Sequence, residues 1–344
     1  IESMFIGAIK KYFSNVKFDL VLYSTPPITF CNAIMYVKER DNAMTYLLLK
    51  DIFPQNSVDL GMLQKTGVKG ILYQFFRNKE KKLYAISDKI GCMSPANVQY
   101  ILQHNPKISS NKIEVCPNSV EAVDMSATKE ESVELRRKYN LPLDRKIFVY
   151  GGNLGKPQGI EFLIECLKAS KNNDEYYLIV GDGTEYCKDC KFCKLEAYIR
   201  EEHPLNVKLM SRLPKEEYDK MIGSCDVGMI FLDARFTIPN FPSRVLSYLQ
   251  AGIPVLSVTD RVTDIGAFIV DNQVGECCYS DDIDSFIKSV SDIKKRRYCK
   301  EHIQQVIAEK YNVIINEGTI EITKQKYNVY LKEYNISYDR YDTL

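Results

Sequence analysis

Net charge is nearly absent from this sequence: 46 Lys and Arg against 45 Asp and Glu leave a formal +1. With no overall field to attract a polyanion, a nucleic-acid partner is not expected. No apolar run reaches the length that crosses a bilayer, and no signal-peptide pattern is visible. A disulfide framework is missing too. The 11 cysteines are scattered singly, and Cys31, Cys166 and Cys225 sit in apolar helical or strand patterns. They read as reduced thiols packed as small hydrophobes in a cytoplasmic protein. The exception is CKDCKFC, with Cys187, Cys190 and Cys193 in two overlapping C-x-x-C pairs. No fourth ligand of matching spacing follows, and His203 is the nearest histidine. The expectation there is a surface insertion and no metal.

What is present is enough chain for two domains, 344 residues with 45% hydrophobic content. The opening, IESMFIGAIKKYF, reads as mid-helix, so the expectation is a fragment lacking its natural start. Strand and helix patterns then alternate. FDLVLYSTPP, MTYLLLKDIFP, GCMS and KIEVCPNSV read as strands, with ITFCNAIMYVKER, GILYQFFRNKEKKLYAISDKI and PANVQYILQH as helices between them. A polar connection with a short helix follows, and the alternation restarts at KIFVYGG. The fold class expected is α/β, with two Rossmann-like doubly wound domains of which the first lacks its opening strands. The boundaries are residues 1–122, a linker at 123–145, a second domain at 146–300, and a C-terminal helix and tail at 301–344.

In doubly wound sheets ligands bind beyond the carboxyl ends of the strands. That places Gly152, Gly183, Arg212, the segment after Phe231 and Thr259 along one edge. Three phosphate contacts are candidates on it. The first is the turn holding Gly151, Gly152, Gly155 and Gly159, whose spacing does not fit the G-x-G-x-x-G dinucleotide fingerprint. The second is VGDG, ending at Gly183. The third is NFPSRVLSYLQAG, where Pro242 suits the first helical turn and Arg244 lies in that turn, beside a helix N-terminus that favours an anion. Each alone also fits an ordinary turn or crossover helix. No Asp-x-Asp pair adjoins them.

The ordered phrases GGNLGKPQGIEFLI, IVGDG, SRLPKEE, SCDVGMIFL and NFPSRVLSYLQAGIPVLSV resemble the donor-binding domain of GT-B glycosyltransferases of the family 4 type. In the first half, PNSV, EKKLYAISDKIGCMS and KDIFPQ are similar to acceptor-domain phrases of the same family. Within it, G-N-x-G-x-x-Q-G followed by P-S-R resembles the variant of capsule and O-antigen aminosugar transferases of the N-acetylfucosamine type. Asn153 and Gln158 stand where the family usually has Arg and Lys, and Pro239 and Ser247 where it has a pair of glutamates.

The resemblance implies two domains facing across a cleft and transfer of a hexose or N-acetylaminosugar, with retention, from a UDP-sugar. The acceptor would be a growing or lipid-linked glycan, and no metal or cofactor would be needed. Arg244, Gly151, Gly152, Asn153 and Gln158 would hold the diphosphate, with Pro242 and Ser243 in the P-S-R phrase. Gly183, Arg212 and Leu213 would lie near base and ribose, and Ser247 would reach a ribose hydroxyl. Asp51, just after a buried strand, is the candidate for contacting the acceptor hydroxyl or the developing sugar cation. The aromatic and basic run from Ile71 to Tyr84 suits either a solvated helix face or a peripheral contact with the inner membrane face. The alternatives are a UDP-sugar epimerase of the same fold and an inactive donor-binding or partner subunit.

Overall fold

The computed structural model describes residues 1–186 and 193–311, and the backbone of residues 313–316 and 319–322. The chain divides into two compact units. One holds Ile1–Pro117 and Arg235–Phe241, and the other Asn118–Ala234 and Pro242–Leu344. The Tyr- and Asn-rich tail from Tyr327, expected as a helix and loose end, lies outside the described residues.

The first unit runs α1 (Glu2–Tyr12), β1 (Leu20–Ser24), α2 (Cys31–Asp41), β2 (Met44–Leu49), α3 (Gln55–Asp59), α4 (Gly67–Ile86), β3 (Lys89–Cys92), α5 (Pro95–His104) and β4 (Ile113–Val115). The strands form a parallel sheet in the order β1-β2-β3-β4. Leu47, Leu49, Ile90 and Cys92 of the sheet are buried, as are Leu83 and Tyr84 of α4 and Ile101 of α5. Local signals start α5, where the Ser94 side chain accepts from Asn97 N and Pro95 opens the helix. Residues 235–241 fold with this unit. The Asp59 carboxylate accepts from Thr237 N at 2.9 Å, and Asn97 Nδ2 donates to Pro239 O at 2.7 Å.

The second unit opens with α6 (Lys129–Lys138), which carries a capping box between Thr128 and Glu131. It continues β5 (Ile147–Gly151), α7 (Ile160–Ala169), β6 (Tyr176–Val180), α8 (Lys194–Glu202), β7 (Val207–Met210), α9 (Lys215–Gly223) and β8 (Val227–Phe231). After β8 come α10 (Arg244–Gln250), β9 (Val255–Thr259), α11 (Ile265–Asp271), β10 (Gly275–Tyr279), α12 (Ile283–Lys295) and α13 (Lys300–Lys310). Its sheet is parallel, in the order β10-β9-β8-β5-β6-β7. Counted from β5, that is 6-5-4-1-2-3, the doubly wound order, and the strand order reverses between β5 and β8.

Strands β5, β8 and β9 are buried along their whole length, as helices on both faces require, and their sequences read as near-continuous apolar runs. Phe148, Tyr150, Tyr177, Met229, Phe231 and Leu256 share a core with Leu163 and Leu167 of α7 and Phe286, Val290 and Ile293 of α12. Each such side chain contributes about 1.5–3 kcal/mol by leaving water. Among the described residues no helix is long and apolar enough to cross a membrane.

Candidate functional site

Because both sheets are parallel, every strand of a sheet ends on the same edge. In the second unit Gly151, Val180, Met210, Phe231 and Thr259 close β5, β6, β7, β8 and β9 there, as the alternation of patterns requires. The order of strands adds what the pattern could not. Gly151–Gly152 and the segment after Phe231 flank the point where strand order reverses, the position at which doubly wound sheets bind ligands.

The glycines there make room for other groups. A Cβ on residue 151 would stand 1.6 Å from the Tyr218 hydroxyl, and one on residue 152 would stand 3.0 Å from Arg244 Nη2. Gly152 also has φ +127°, which side-chain-bearing residues rarely adopt. A Cβ on Gly183 would meet the Leu154 backbone at 2.3 Å. Four backbone amides of this turn are engaged within the protein. Gly151 N donates to the Tyr248 hydroxyl, Gly152 N to Val180 O, Leu154 N to Asp182 O, and Gly155 N to Gln158 Oε1. Side chains, not these amides, are left to meet a ligand.

Arg244 is the side chain best placed to do so. Its guanidinium lies over the Tyr150 ring, 4.5 Å from the centroid, and beside Tyr218 and Tyr248. Arg244 Nη1 is sealed from solvent and has no hydrogen-bond partner, and no carboxylate pairs with this cation among the described residues. A half-buried cation without a counter-ion is costly, so the place favours an anion. Burial pushes the Tyr150, Tyr218 and Tyr248 hydroxyls up, Tyr248 to about 12, with the Arg244 charge pulling the other way. All three therefore stay protonated at neutral pH.

The helix contributes less than expected. α10 begins at Arg244 and has only seven residues. Pro242 precedes it, its carbonyl accepting from Val245 N at 3.3 Å, and exposed Ser243 makes no side-chain cap bond. Pro242 is thus outside the first helical turn, because the chain enters α10 through a tight turn. Attraction for an anion here comes from the charge of Arg244 rather than from a helix terminus.

Asn153 Nδ2 donates to Gln158 Oε1 at 3.2 Å, which leaves Gln158 Nε2 as a neutral donor. Half-buried Ser247 lies one turn after Arg244 on α10. Arg212 is exposed beyond β7, with its N–H donating to Asp182 Oδ2 at 3.3 Å, and Leu213 follows it. Pro239 belongs to the other unit, away in sequence grouping from Ser247. Asp51 also lies in the first unit, half-buried after β2. Its N–H donates to Thr25 Oγ1 and its carbonyl accepts from the same hydroxyl, while burial pushes its carboxyl pKa up against the pull of Lys50. Cys187 and Cys190 fall outside the described residues. Cys193 is buried at the start of α8.

Sequence reasoning missed Tyr150, Tyr218 and Tyr248. Tyr150 directly precedes the glycine pair and Tyr248 sits in SYLQAG, so both lay inside phrases already singled out. Tyr218, in KEEYDK, carries no local signal.

Residues 131–319 match the family described as glycosyl transferases group 1. The chain belongs to this family. It is 22% identical over 281 residues to a Pseudomonas aeruginosa protein named "Probable glycosyltransferase WbjE", covering 80% of this chain and 66% of that one. It is 21% identical over 254 residues to WcaI of Escherichia coli K12, named for colanic acid biosynthesis, covering 72% of this chain and 59% of that one. The chain thus spans less than two thirds of the length of either relative. Among solved structures it is similar to HepE of Anabaena in complex with UDP-glucose, with a TM-score of 0.67 at 12% identity over 90% of this chain and 78% of that one. A sucrose-phosphate synthase of Thermosynechococcus elongatus gives a TM-score of 0.70 at 14% identity, over 90% and 74%. These solved structures share the α/β fold of the chain.

Proposed function

We propose that the chain acts as a retaining glycosyltransferase, moving a sugar from a UDP-sugar to a growing or lipid-linked polysaccharide. The observation that carries this reading is Arg244, a half-buried cation without a counter-ion among the described residues, at the strand-order reversal of a group 1 donor-type domain. Departure of a nucleoside diphosphate develops negative charge, and a fixed cation in a partly desolvated place stabilises it. Gln158 Nε2 supplies a neutral hydrogen bond to the same diphosphate, and Asn153 shapes the turn by holding Gln158 Oε1. Base and ribose lie toward Gly183, Arg212 and Leu213, with Ser247 at a ribose hydroxyl. Asp51 meets the acceptor hydroxyl or the developing sugar cation. Neither a metal nor a cofactor takes part, and the nucleotide-sugar is a substrate.

The names of WbjE and WcaI, and the UDP-glucose bound to HepE, support a nucleotide-sugar donor and a role in polysaccharide assembly. A cytoplasmic location with peripheral membrane contact fits a lipid-linked acceptor. On α4 the stripe Val68, Ile71, Leu72 and Phe75 points to solvent, 87%, 74%, 46% and 51% exposed. Lys82 turns to α2 and donates to Asn32 Oδ1 at 2.8 Å, so the cations left for an anionic surface are the exposed Lys65, Lys69 and Lys81.

Titration calorimetry with UDP, GDP, ADP and uridine tests the reading. UDP is expected to bind more tightly than the other two diphosphates and than uridine. Absence of any nucleotide binding at millimolar concentration would overturn it.

A further inference from the structure

Within the first unit a cavity of about 130 Å³ opens where α3, α4 and α5 meet. Sites for drug-sized ligands run to about 300–1,000 Å³, so this one suits a single small ring. Tyr73, Arg77 and Glu80 of its lining fall on one face of α4, opposite the exposed apolar stripe.

The wall is fixed by its own bonds. Arg77 Nη1 donates to Glu80 Oε2, and Arg77 Nη2 donates to His104 O at 3.0 Å and Asn105 Oδ1 at 2.7 Å, which ties α4 to the end of α5. Glu80 Oε1 accepts from the Tyr84 hydroxyl at 2.7 Å, so the buried carboxylate is paired on both oxygens.

The groups left over are of both kinds. Gln55 Nε2 donates to Asp59 Oδ1 at 2.6 Å, which leaves Gln55 Oε1 as an acceptor. Burial pushes the Tyr73 and Tyr100 hydroxyls up, so both stay protonated and can donate. Neither has a hydrogen-bond partner among the described residues. A bare phosphate asks for donors alone. Donors and an acceptor side by side, with tyrosine rings to cover C–H faces, match a ring carrying several hydroxyls.

We propose that this cavity holds one sugar ring of the glycan acceptor and so takes part in choosing it. Ile52, in the lining, directly follows Asp51, the residue assigned to the acceptor hydroxyl. The proposal rests on the glycosyltransferase reading above and gives its acceptor a place.

Saturation-transfer NMR with glucose, N-acetylglucosamine and glucuronate tests it. At least one of the three is expected to bind at millimolar concentration. Tyr73→Phe combined with Tyr100→Phe removes two hydroxyls and keeps both rings. Affinity for that sugar should fall roughly three- to tenfold in the double variant. Its ligand-free Tm should stay within about 1 °C of the parent's, since neither hydroxyl has a protein partner. Its UDP affinity by calorimetry should be unchanged. A parent that binds UDP but none of the sugars overturns the subsite and leaves the transferase reading standing. So does a sugar held equally well by parent and double variant, because it then sits elsewhere. A parent that binds a sugar here but no UDP overturns the acceptor role together with the transferase reading.

Discussion

The Arg244 guanidinium stacks on the ring of Tyr150, two residues before the end of the turn that it faces at Gly152. A cation over an aromatic ring is held by the negative face of the ring, which limits where the guanidinium can go. A charge-assisted hydrogen bond to a phosphate contributes about 1.5–3 kcal/mol. Arg244→Ala should therefore weaken UDP binding roughly ten- to a hundredfold by calorimetry. Uridine, lacking the phosphates, should bind as before. Arg244→Lys should recover part of the loss, because a point charge cannot reproduce a bidentate fork. Equal losses of UDP and uridine would make Arg244 a packing residue.

Gly151 is expected to be intolerant of a side chain for a reason that can be isolated. Its Cβ would fall 1.6 Å from the Tyr218 hydroxyl and 2.2 Å from Tyr218 Cζ. Gly151→Ala should cost about 1–3 kcal/mol in urea unfolding. In a Tyr218→Leu background, where those atoms are gone, the same substitution should cost less. Identical costs in the two backgrounds would mean that the clash lies elsewhere.

Asp51 separates function from stability. Its carboxyl is raised by burial, so folding favours the protonated form. Its contribution to stability is present below the ordinary aspartate range and lost as pH rises through the folded pKa. Asp51→Asn removes that loss. Its Tm should match the parent's at acid pH and equal or exceed it at pH 7, while sugar transfer falls by about a hundredfold or more. A variant less stable than the parent at pH 7 would show the carboxylate to be a structural partner.

The α4 stripe makes a prediction about membranes. From residue 65 to 82, Lys65, Lys69, Arg77, Lys79, Lys81 and Lys82 face a single acid, Glu80, which is buried against Arg77. The chain should co-sediment with vesicles containing phosphatidylglycerol, less so at high salt, and not with neutral phosphatidylcholine vesicles. Ile71→Ser with Phe75→Ser should abolish the binding and leave UDP affinity intact. Indifference of the parent to anionic vesicles would remove the membrane from the account.

Chelation is the simplest experiment. UDP affinity and transfer should survive EDTA unchanged if the proposed diphosphate contact draws its charge from Arg244. Loss on chelation, restored by manganese or zinc, would point back to a metal and to Cys187, Cys190 and Cys193.

Local chemistry was enough to read the alternation of strands and helices. Buried parallel strands are written as continuous apolar runs, and the chain marks where they stop with Gly151 and Gly183. It was also enough to put these ends on one edge, since parallel strands have no other arrangement. Arg244 was legible through its phrase. The order of strands was not, because pairing β5 with β8 rather than β7 depends on contacts between residues far apart in the chain. For the same reason the tyrosines at 150, 218 and 248 could not be seen to converge on Arg244. Nor could the sequence say which amides of the glycine turn are already bonded: Gly152 N finds Val180 O, and Leu154 N finds Asp182 O, only once β6 lies beside β5. Sequence periodicity records which face of an element is buried, whereas tertiary packing decides which groups, Arg244 Nη1 among them, are left without a partner.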